Sequence, residues 1–568
     1  MRALTVLSLF TVVAAQLFAQ APSPATASSQ PVTAHPANSA ASPSTTPASA
    51  IPKFEAADVR FTAPYRVPFY SGAFLSGDRF IIRQATMAHL VSTAWNLNPH
   101  FVGDGPSWIA WDRYDIMAKV PPGTTLDTAR IMLQDLLAER FKLVVHPGDV
   151  QVPAYLLTMA NGKPTLKPST AAEEGSCKPQ YSGQPGSNIP PTWSLECRGA
   201  SMAMLANSIG AMDSRDYVAY NTPVMDTTGL KGLYDFDLKW TPKFFLAQAG
   251  SGGVSLYQAL EALGLDLELK FTPRPGIVID SVIREPTANA PDLASIMPPL
   301  PSPQFDVATI KPSDPNVRRG DVRYGGNEIN IQGIPLKTLI KIAWDLDPRN
   351  DDTLVAPKWL DSDKIDIHAK ASQSEIGNNT MGRTNTVNPD ALMPMLRDLL
   401  IDRFQIKYHM EERPIDAYAL LADHPKLTPA DPKEHTACGT ALSDNGKDPS
   451  QTNIMLDSNQ SCWNTTMDQF AGQLHRIAPD YFFYPVVDDT GIKGAWDFTL
   501  YWSSARLTQN GGPGTQAAPE GAPAALDPNG AISLFDAIRK QLGLKIEKQK
   551  HTEPVLVIDQ ISEKPTEN

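Results

Sequence analysis

The 568-residue chain has 42% hydrophobic and 19% charged residues, the proportions of a globular protein, and its length allows roughly four domains of about 150 residues each. A formal net charge of -12 argues against nucleic acid or anionic lipid as a general partner, because both demand a dense basic surface. The 51 prolines announce many loops and linkers.

The chain opens MRALTVLSLFTVVAAQLFAQA, one arginine ahead of an apolar run from Leu4 to Phe18 and then small residues, which is the pattern of a secretory signal peptide over 1–21. The rival reading, an uncleaved anchor, needs about 20 apolar residues, more than this run supplies. No later stretch is long and apolar enough to span a membrane, so the mature chain is expected to have no membrane span. Residues 22–52 are Pro, Ala, Ser and Thr with almost no large apolar side chain, and read as a disordered linker.

From Phe54 the predicted elements are a helix around Met87 to Trp95, a strand at YDIMAKV, a helix at ARIMLQDLLAERF, and two strands at KLVVH and AYLLTMA. The second half repeats that order. SMAMLANSIGAM and SLYQALEALGL have helical spacing, with Ser255 a candidate N-cap. LYDFDLKW alternates with period two as a half-buried strand, and LDLELKF and GIVIDSVI read as two more strands. GSGG at 250–253 reads as linker.

The whole series then recurs. GPSWIAWDRYDIMAK (105–119) answers APKWLDSDKIDIHAK (356–370), and MLQDLLAERFKLVVH (132–146) answers MLRDLLIDRFQIKYH (395–409). VMDTTGLKGLYDFDLKW (224–240) answers VVDDTGIKGAWDFTLYW (486–502), and IVIDSVIREPTAN answers LVIDQISEKPTEN. SLFDAIRKQLGLKIE, with Ser533 as its candidate N-cap, answers the helix at Ser255. So many landmarks in one order define a tandem duplication, 54–289 and 305–568, joined by a Pro-rich linker at 290–304. The expected fold class is α+β: two homologous copies, each of two helix-strand-strand-helix-strand-strand units. That element order is similar to the short N-terminal domains of secretins and TonB-dependent receptors.

The landmarks PSW…DRYDI, LLAERFKL, TGLKGLYDF and VIDSVIREPTAN together resemble the acidobacterial soil-associated secreted-protein family, whose shared domain has no known function. The resemblance covers both copies. It implies a secreted or periplasmic protein, and similar domains are appended to membrane metallopeptidases that look like beta-lactam sensors. It supplies no catalytic residue to carry over.

Four cysteines fall at equivalent places, Cys177 and Cys197 in the first copy and Cys438 and Cys462 in the second. In an exported protein this even, repeated spacing argues for two disulfides, each within its copy. A four-cysteine metal site is the alternative, but neither pair has the close spacing of zinc knuckles.

Residues that suggest chemistry have structural readings beside them. Asp489-Thr490-Gly491 matches the aspartic-protease tripeptide, yet the first copy has Thr227 in place of Asp489, so the reading preferred is an aspartate capping the turn before a strand. Ser443-Asp444-Asn445 is reminiscent of penicillin-binding enzymes, which also need Ser-x-x-Lys, and no serine here has lysine three positions on. The ten histidines form no His-x-x-x-His pair, and neither Gly-x-Ser-x-Gly nor a phosphate loop occurs. His146 and His409 correspond at a strand end and are expected to make ordinary hydrogen bonds. Trp108 and Trp359 are expected to plug the core. Asp112 with Asp115, and Asp363 with Asp366, should point to opposite faces of a strand.

These observations imply no catalytic residue, no metal and no cofactor. The expectation is a non-catalytic protein that binds an envelope protein or an extracellular ligand. The alternatives are a carboxylate-based hydrolase with its site between the copies, or a sensory or inhibitory module acting on an envelope protein.

Overall fold

The computed structural model describes residues 52–566 apart from 63–69, 71, 161–163, 184–189, 214–215, 219–221, 299–302, 318, 326, 373–375, 380–385, 388, 432–435, 440–452 and 509–529. The expected signal peptide, nearly all of the N-terminal linker and the Ser443-Asp444-Asn445 tripeptide lie outside the described residues.

In the first half of copy one the order is β1 (Ala56–Phe61), β2 (Phe74–Ser76), β3 (Arg79–Thr86), α1 (Met87–Ala94), β4 (Val102–Gly103), β5 (Arg113–Lys119), α2 (Leu126–Phe141) and β6 (Val144–Met159). The second half continues with β7 (Lys167–Pro168), β8 (Ser176–Ser182), β9 (Thr192–Ala200), α3 (Met202–Met212), β10 (Val224–Asp226), β11 (Tyr234–Trp240), α4 (Lys243–Ala249), α5 (Leu256–Glu261) and β12 (Leu265–Ser281). The fold is α+β with two copies. Helix starts follow the local chemistry: Thr86, Thr125, Ser201 and Ser255 each accept the N–H three residues on, as N-caps do. Ser533 caps its helix in the second copy in the same way.

Each half has its own antiparallel sheet, β1-β5-β3-β2 in the first and β7-β11-β9-β8 in the second. A third sheet, in the order β10-β6-β12-β4, joins them. Its centre is a two-stranded ribbon running from Val144 opposite Ser281 to Met159 opposite Leu265. β10 lies parallel to β6 at one end, and β4 parallel to β12 at the other. The two halves are therefore related by an approximate twofold through the middle of the ribbon, and each contributes a strand to the other. Copy two repeats this with Lys407–Ala422 paired to Leu544–Gln560, flanked by Leu354–Val355 and Val486–Asp488.

The ribbon corrects one expectation, since the predicted pairs of strands at KLVVH and AYLLTMA, and at LDLELKF and GIVIDSVI, are single continuous strands. Pro147, Gly148, Pro273, Pro275 and Gly276, which read as breaks, sit inside it. Gly148 is opposite Gly276, and a side chain on Gly276 would collide with the Phe101 carbonyl, so close approach accounts for this glycine. Prolines are tolerated because neither flanking strand reaches the ribbon's middle, where both outer edges are free of ladder bonds. A second difference is α4, a helix leading into the GSGG segment, which was expected to be linker.

Among the described residues each half has one large hydrophobic core, and a small cluster of Ala371, Ala391 and Met395 adds to that of copy two's first half. Phe80, Tyr114 and Phe141 are wholly buried in the first, and Trp240 in the second. Burying side chains of this size contributes roughly 1.5–3 kcal/mol each. The copies touch where Phe271 meets Trp463 edge-on at 5.1 Å, and where the Arg506 guanidinium lies 3.9 Å over the Phe244 ring. Strand Ile376–Asn379 of copy two also extends the first copy's sheet beside β2. The linker begins with the short helix α6 (Leu293–Ile296), whose neighbour Met297 is buried, so part of it is packed against copy one.

Candidate functional site

The residues repeated between the copies converge on main-chain groups. In all four halves a residue with left-handed backbone stands three positions before the first helix: Gln84 (φ 52°), Gly199 (φ 63°), Gly333 (φ 64°) and Asn464 (φ 47°). Each marks a bulge in the strand register. Its N–H is received by an aspartate on the neighbouring strand, Asp115 at 3.0 Å, Asp235 at 2.7 Å, Asp366 at 3.0 Å and Asp497 at 2.7 Å. Asp115 and Asp366 also accept hydroxyls, from Thr62 and Ser313 respectively. One device, a carboxylate fixing the bulge that aims the chain into a helix, is thus used four times.

The stretch that opens the last strands is a second device. Asp226 Oδ1 accepts from the Thr228 N–H (2.9 Å) and hydroxyl (2.7 Å), and Asp488 does the same with Thr490 at the same distances. Gly229 and Gly491, both left-handed, complete the turn. The carboxylate that caps this turn is therefore Asp488, not Asp489 of the Asp-Thr-Gly tripeptide, whose Oδ2 instead accepts from Gln549 at 2.8 Å.

Asp112 pairs with Arg284, while Asp115 turns to the bulge, so the two carboxylates do not meet. Trp108 and Trp359 pack partly buried against their cores. The Nδ1–H of His146 donates to the carboxylate of Asp280, 3.0 Å from both oxygens, and that of His409 does the same with Asp559 at 3.0 Å. These matched pairs lie about half-exposed on the ribbon. The cysteines form disulfides Cys177–Cys197 and Cys438–Cys462, each joining directly opposed residues of neighbouring strands. Among the described residues no three His, Cys, Asp or Glu side chains are placed to hold a metal ion. No described helix is long and apolar enough to cross a membrane.

Three arrangements escaped sequence reading. The repeated Asp-Tyr is the first. Asp216 accepts from the Lys243 N–H and Asp480 from the Ala505 N–H, while the hydroxyls of Tyr217 and Tyr481 donate to the carbonyls of Thr241 and Ser503. The second explains the closing PTAN. Arg140 donates to Thr287 O at 3.0 Å and to Asn289 Oδ1 at 2.7 Å, and the Asn289 amide reaches Asp58 and the Val59 N–H, latching the end of the copy to β1. Thr566 N–H meets Arg403 O in copy two as Thr287 N–H meets Arg140 O in copy one. The third belongs to copy two alone: His475 Nε2 lies 2.8 Å from Asp347 Oδ2 and 2.9 Å from the Arg349 guanidinium. Repetition of Asp-Tyr and Pro-Thr was the available signal for the first two; nothing local marks the third.

Buried charges sharpen the contrast between copies. Burial, reinforced by Asp216, pushes the Asp213 carboxyl up to about 7 against N–H donors from Tyr217, Trp240 and Val218. Burial also opposes ionisation of Asp347, but hydrogen bonds from His475 and Arg349 outweigh it and hold that carboxyl well below the usual range. Lys341 is wholly buried and its ammonium is pushed down by burial. Its three acceptors are Pro348 O, Asn350 O and Asp351 Oδ1, which clamp the following loop. A cleft of about 310 Å³ lies between β1, α2 and α6, but the Lys53–Asp135 ion pair and the Arg140 latch occupy its polar walls.

A protein architecture of two α+β copies, with a shared set of backbone-holding polar residues, is the class that fold and site define. The chain belongs to the family described as "Protein of unknown function (DUF3738)", whose model matches it twice, over 88–282 and 337–561, as a tandem duplication requires. No curated protein and no solved structure matches the chain, so the likeness to secretin and TonB-receptor domains is one of element order alone.

Proposed function

We propose that this is an exported, non-catalytic binding protein of the periplasm or extracellular space that engages another envelope protein. The observation that carries the reading is the use of the recurrent polar side chains. Asp115, Asp226, Asp235, Asp216 and Arg140, with their second-copy counterparts, are aimed at main-chain groups and so keep the architecture rather than face a substrate. Two disulfides support an oxidising compartment, as do the signal-like residues 1–21 and the resemblance to acidobacterial soil-associated secreted proteins. On this reading 22–52 is a tether, 54–289 and 305–568 are the binding copies, and 290–304 is their joint.

The test is affinity capture from envelope extracts with the mature chain, followed by titration of the captured protein in purified form, beside a polysaccharide-binding screen. Saturable binding of one envelope protein is expected. Saturable sugar binding with no protein partner, or turnover of a substrate that disappears in an Asp280→Asn, Asp559→Asn double variant, would overturn the reading.

A further inference from the structure

The first halves of the two copies differ at one sheet edge. In copy one β2 forms a hairpin with β3, Ser76 opposite Arg79, and in copy two strand Asp321–Gly325 forms one with Glu328–Pro335, Gly325 opposite Glu328. The bulge residues Gln84 and Gly333 fix the equivalence, since Arg79 and Glu328 stand at the same distance before them. Beyond β2 the sheet of copy one continues into Ile376–Asn379, with Leu75 opposite Asn378 and Phe74 opposite Asn379, and then into Thr386–Val387. Among the described residues the matching sheet of copy two ends at Asp321–Gly325.

The covering hairpin comes from a segment that copy one lacks. Between the central strand and the long helix that follows it stand residues 120–125 in copy one and 372–388 in copy two. Copy two thus lends a hairpin to copy one and receives none. The pattern is that of a series in which each copy covers the edge of the one before it, and the last edge stays open.

The open edge keeps its bonding capacity. In a two-residue hairpin the closing pair shares hydrogen bonds, so the N–H and C=O groups of Val322 and Tyr324 turn away from the neighbouring strand. Among the described residues nothing takes them. The devices that blunt an edge are weak here: the strand has no proline, and its two charges, Asp321 and Arg323, pair with each other at 2.6 Å. The outer strand β8, in contrast, carries Lys178 and Pro179. A ladder with no net charge suits an uncharged strand, and Ile-Gly-Asn-Asn at the equivalent edge is one.

We propose that Asp321–Gly325 is a docking edge onto which an envelope protein adds a hairpin of uncharged strands, as Ile376–Asn379 with Thr386–Val387 adds to β2. The proposal rests on the protein-binding reading and names its surface.

The probe is a cyclised peptide with the sequence of residues 376–387, offered to the full chain and followed by amide exchange. The chain's own hairpin holds β2 at high effective concentration, so one peptide per chain is expected, on the open edge, slowing exchange at Val322 and Tyr324 about tenfold and leaving Leu75 unchanged. The envelope protein captured with the parent chain should slow the same two amides. Val322→Pro removes an outward N–H and no ladder bond, so it should keep cooperative unfolding and weaken both peptide and captured protein at least tenfold. Unchanged exchange at Val322 and Tyr324 with either probe would overturn the proposal, and that result needs no variant to fold. A concentration-dependent dimer of the parent that Val322→Pro abolishes would make a second copy the occupant and overturn it as well. Capture that is indifferent to Val322→Pro overturns the proposal and leaves the protein-binding reading standing, whereas failure to capture any envelope protein overturns both.

Discussion

Replacing Asp115 by alanine removes the acceptor for three groups: the Gln84 N–H at 3.0 Å, the Thr62 hydroxyl at 2.8 Å and the Arg83 guanidinium at 3.1 Å. The first matters most. Gln84 is a non-glycine residue held at φ 52°, and loss of the carboxylate removes the hydrogen bond from its N–H that helps offset the strain of that conformation. An unsatisfied, part-buried N–H costs about 1–3 kcal/mol, and the lost hydroxyl bond adds about 1 kcal/mol. The expected destabilisation is therefore about 2–4 kcal/mol, or roughly 5–10 °C in melting midpoint for a unit of this size. Asp112→Ala is the control, three residues away and paired with the largely exposed Arg284; it should cost no more than about 1 kcal/mol. Scanning calorimetry of the two variants against the parent decides the matter. Equal losses, or a neutral Asp115→Ala, would refute the idea that the repeated aspartate holds the bulge.

Three further outcomes follow from the same geometry. Non-reducing peptide mapping should link Cys177 only to Cys197 and Cys438 only to Cys462, and reduction should destabilise each copy by about 3 kcal/mol through loss of loop restriction. Because the Asp213 carboxyl titrates near 7 in the folded chain and near 3.8 unfolded, its contribution is most favourable below 3.8 and is lost as pH rises through 7. Melting curves should show this as a pH-dependent term on the order of 4 kcal/mol that Asp213→Asn eliminates; equal pH profiles would exclude it. Asp347 has the opposite sign: its stabilisation is present above 3.8 and fades as pH falls through its lower folded value, so Asp347→Asn should remove part of the acid sensitivity measured by circular dichroism between pH 5 and 2.

The duplication was legible because it is written in residues that the backbone itself requires. Asp226 and Asp488 recur because an Asx turn needs that side chain at that position, and Ser255 and Ser533 because a helix start needs an acceptor. The continuous ribbon was not legible, because proline and glycine mark a chain break in most settings and only the opposed pairing of Gly148 with Gly276 reveals their other use. The fourfold aspartate device was half visible in Tyr-Asp-Ile and Tyr-Asp-Phe. Its partner varies among Gln84, Gly199, Gly333 and Asn464, a set united by backbone angle and not by side chain.

Amide exchange at those four left-handed residues puts the account's core under the most direct strain. If the carboxylates pin the chain into each helix, the amides of Gln84, Gly199, Gly333 and Asn464 should exchange only through opening of the half that contains them, and aspartate removal should release the matching amide first. Exchange as fast as that of exposed turns such as Gly77 and Gly123 would contradict it.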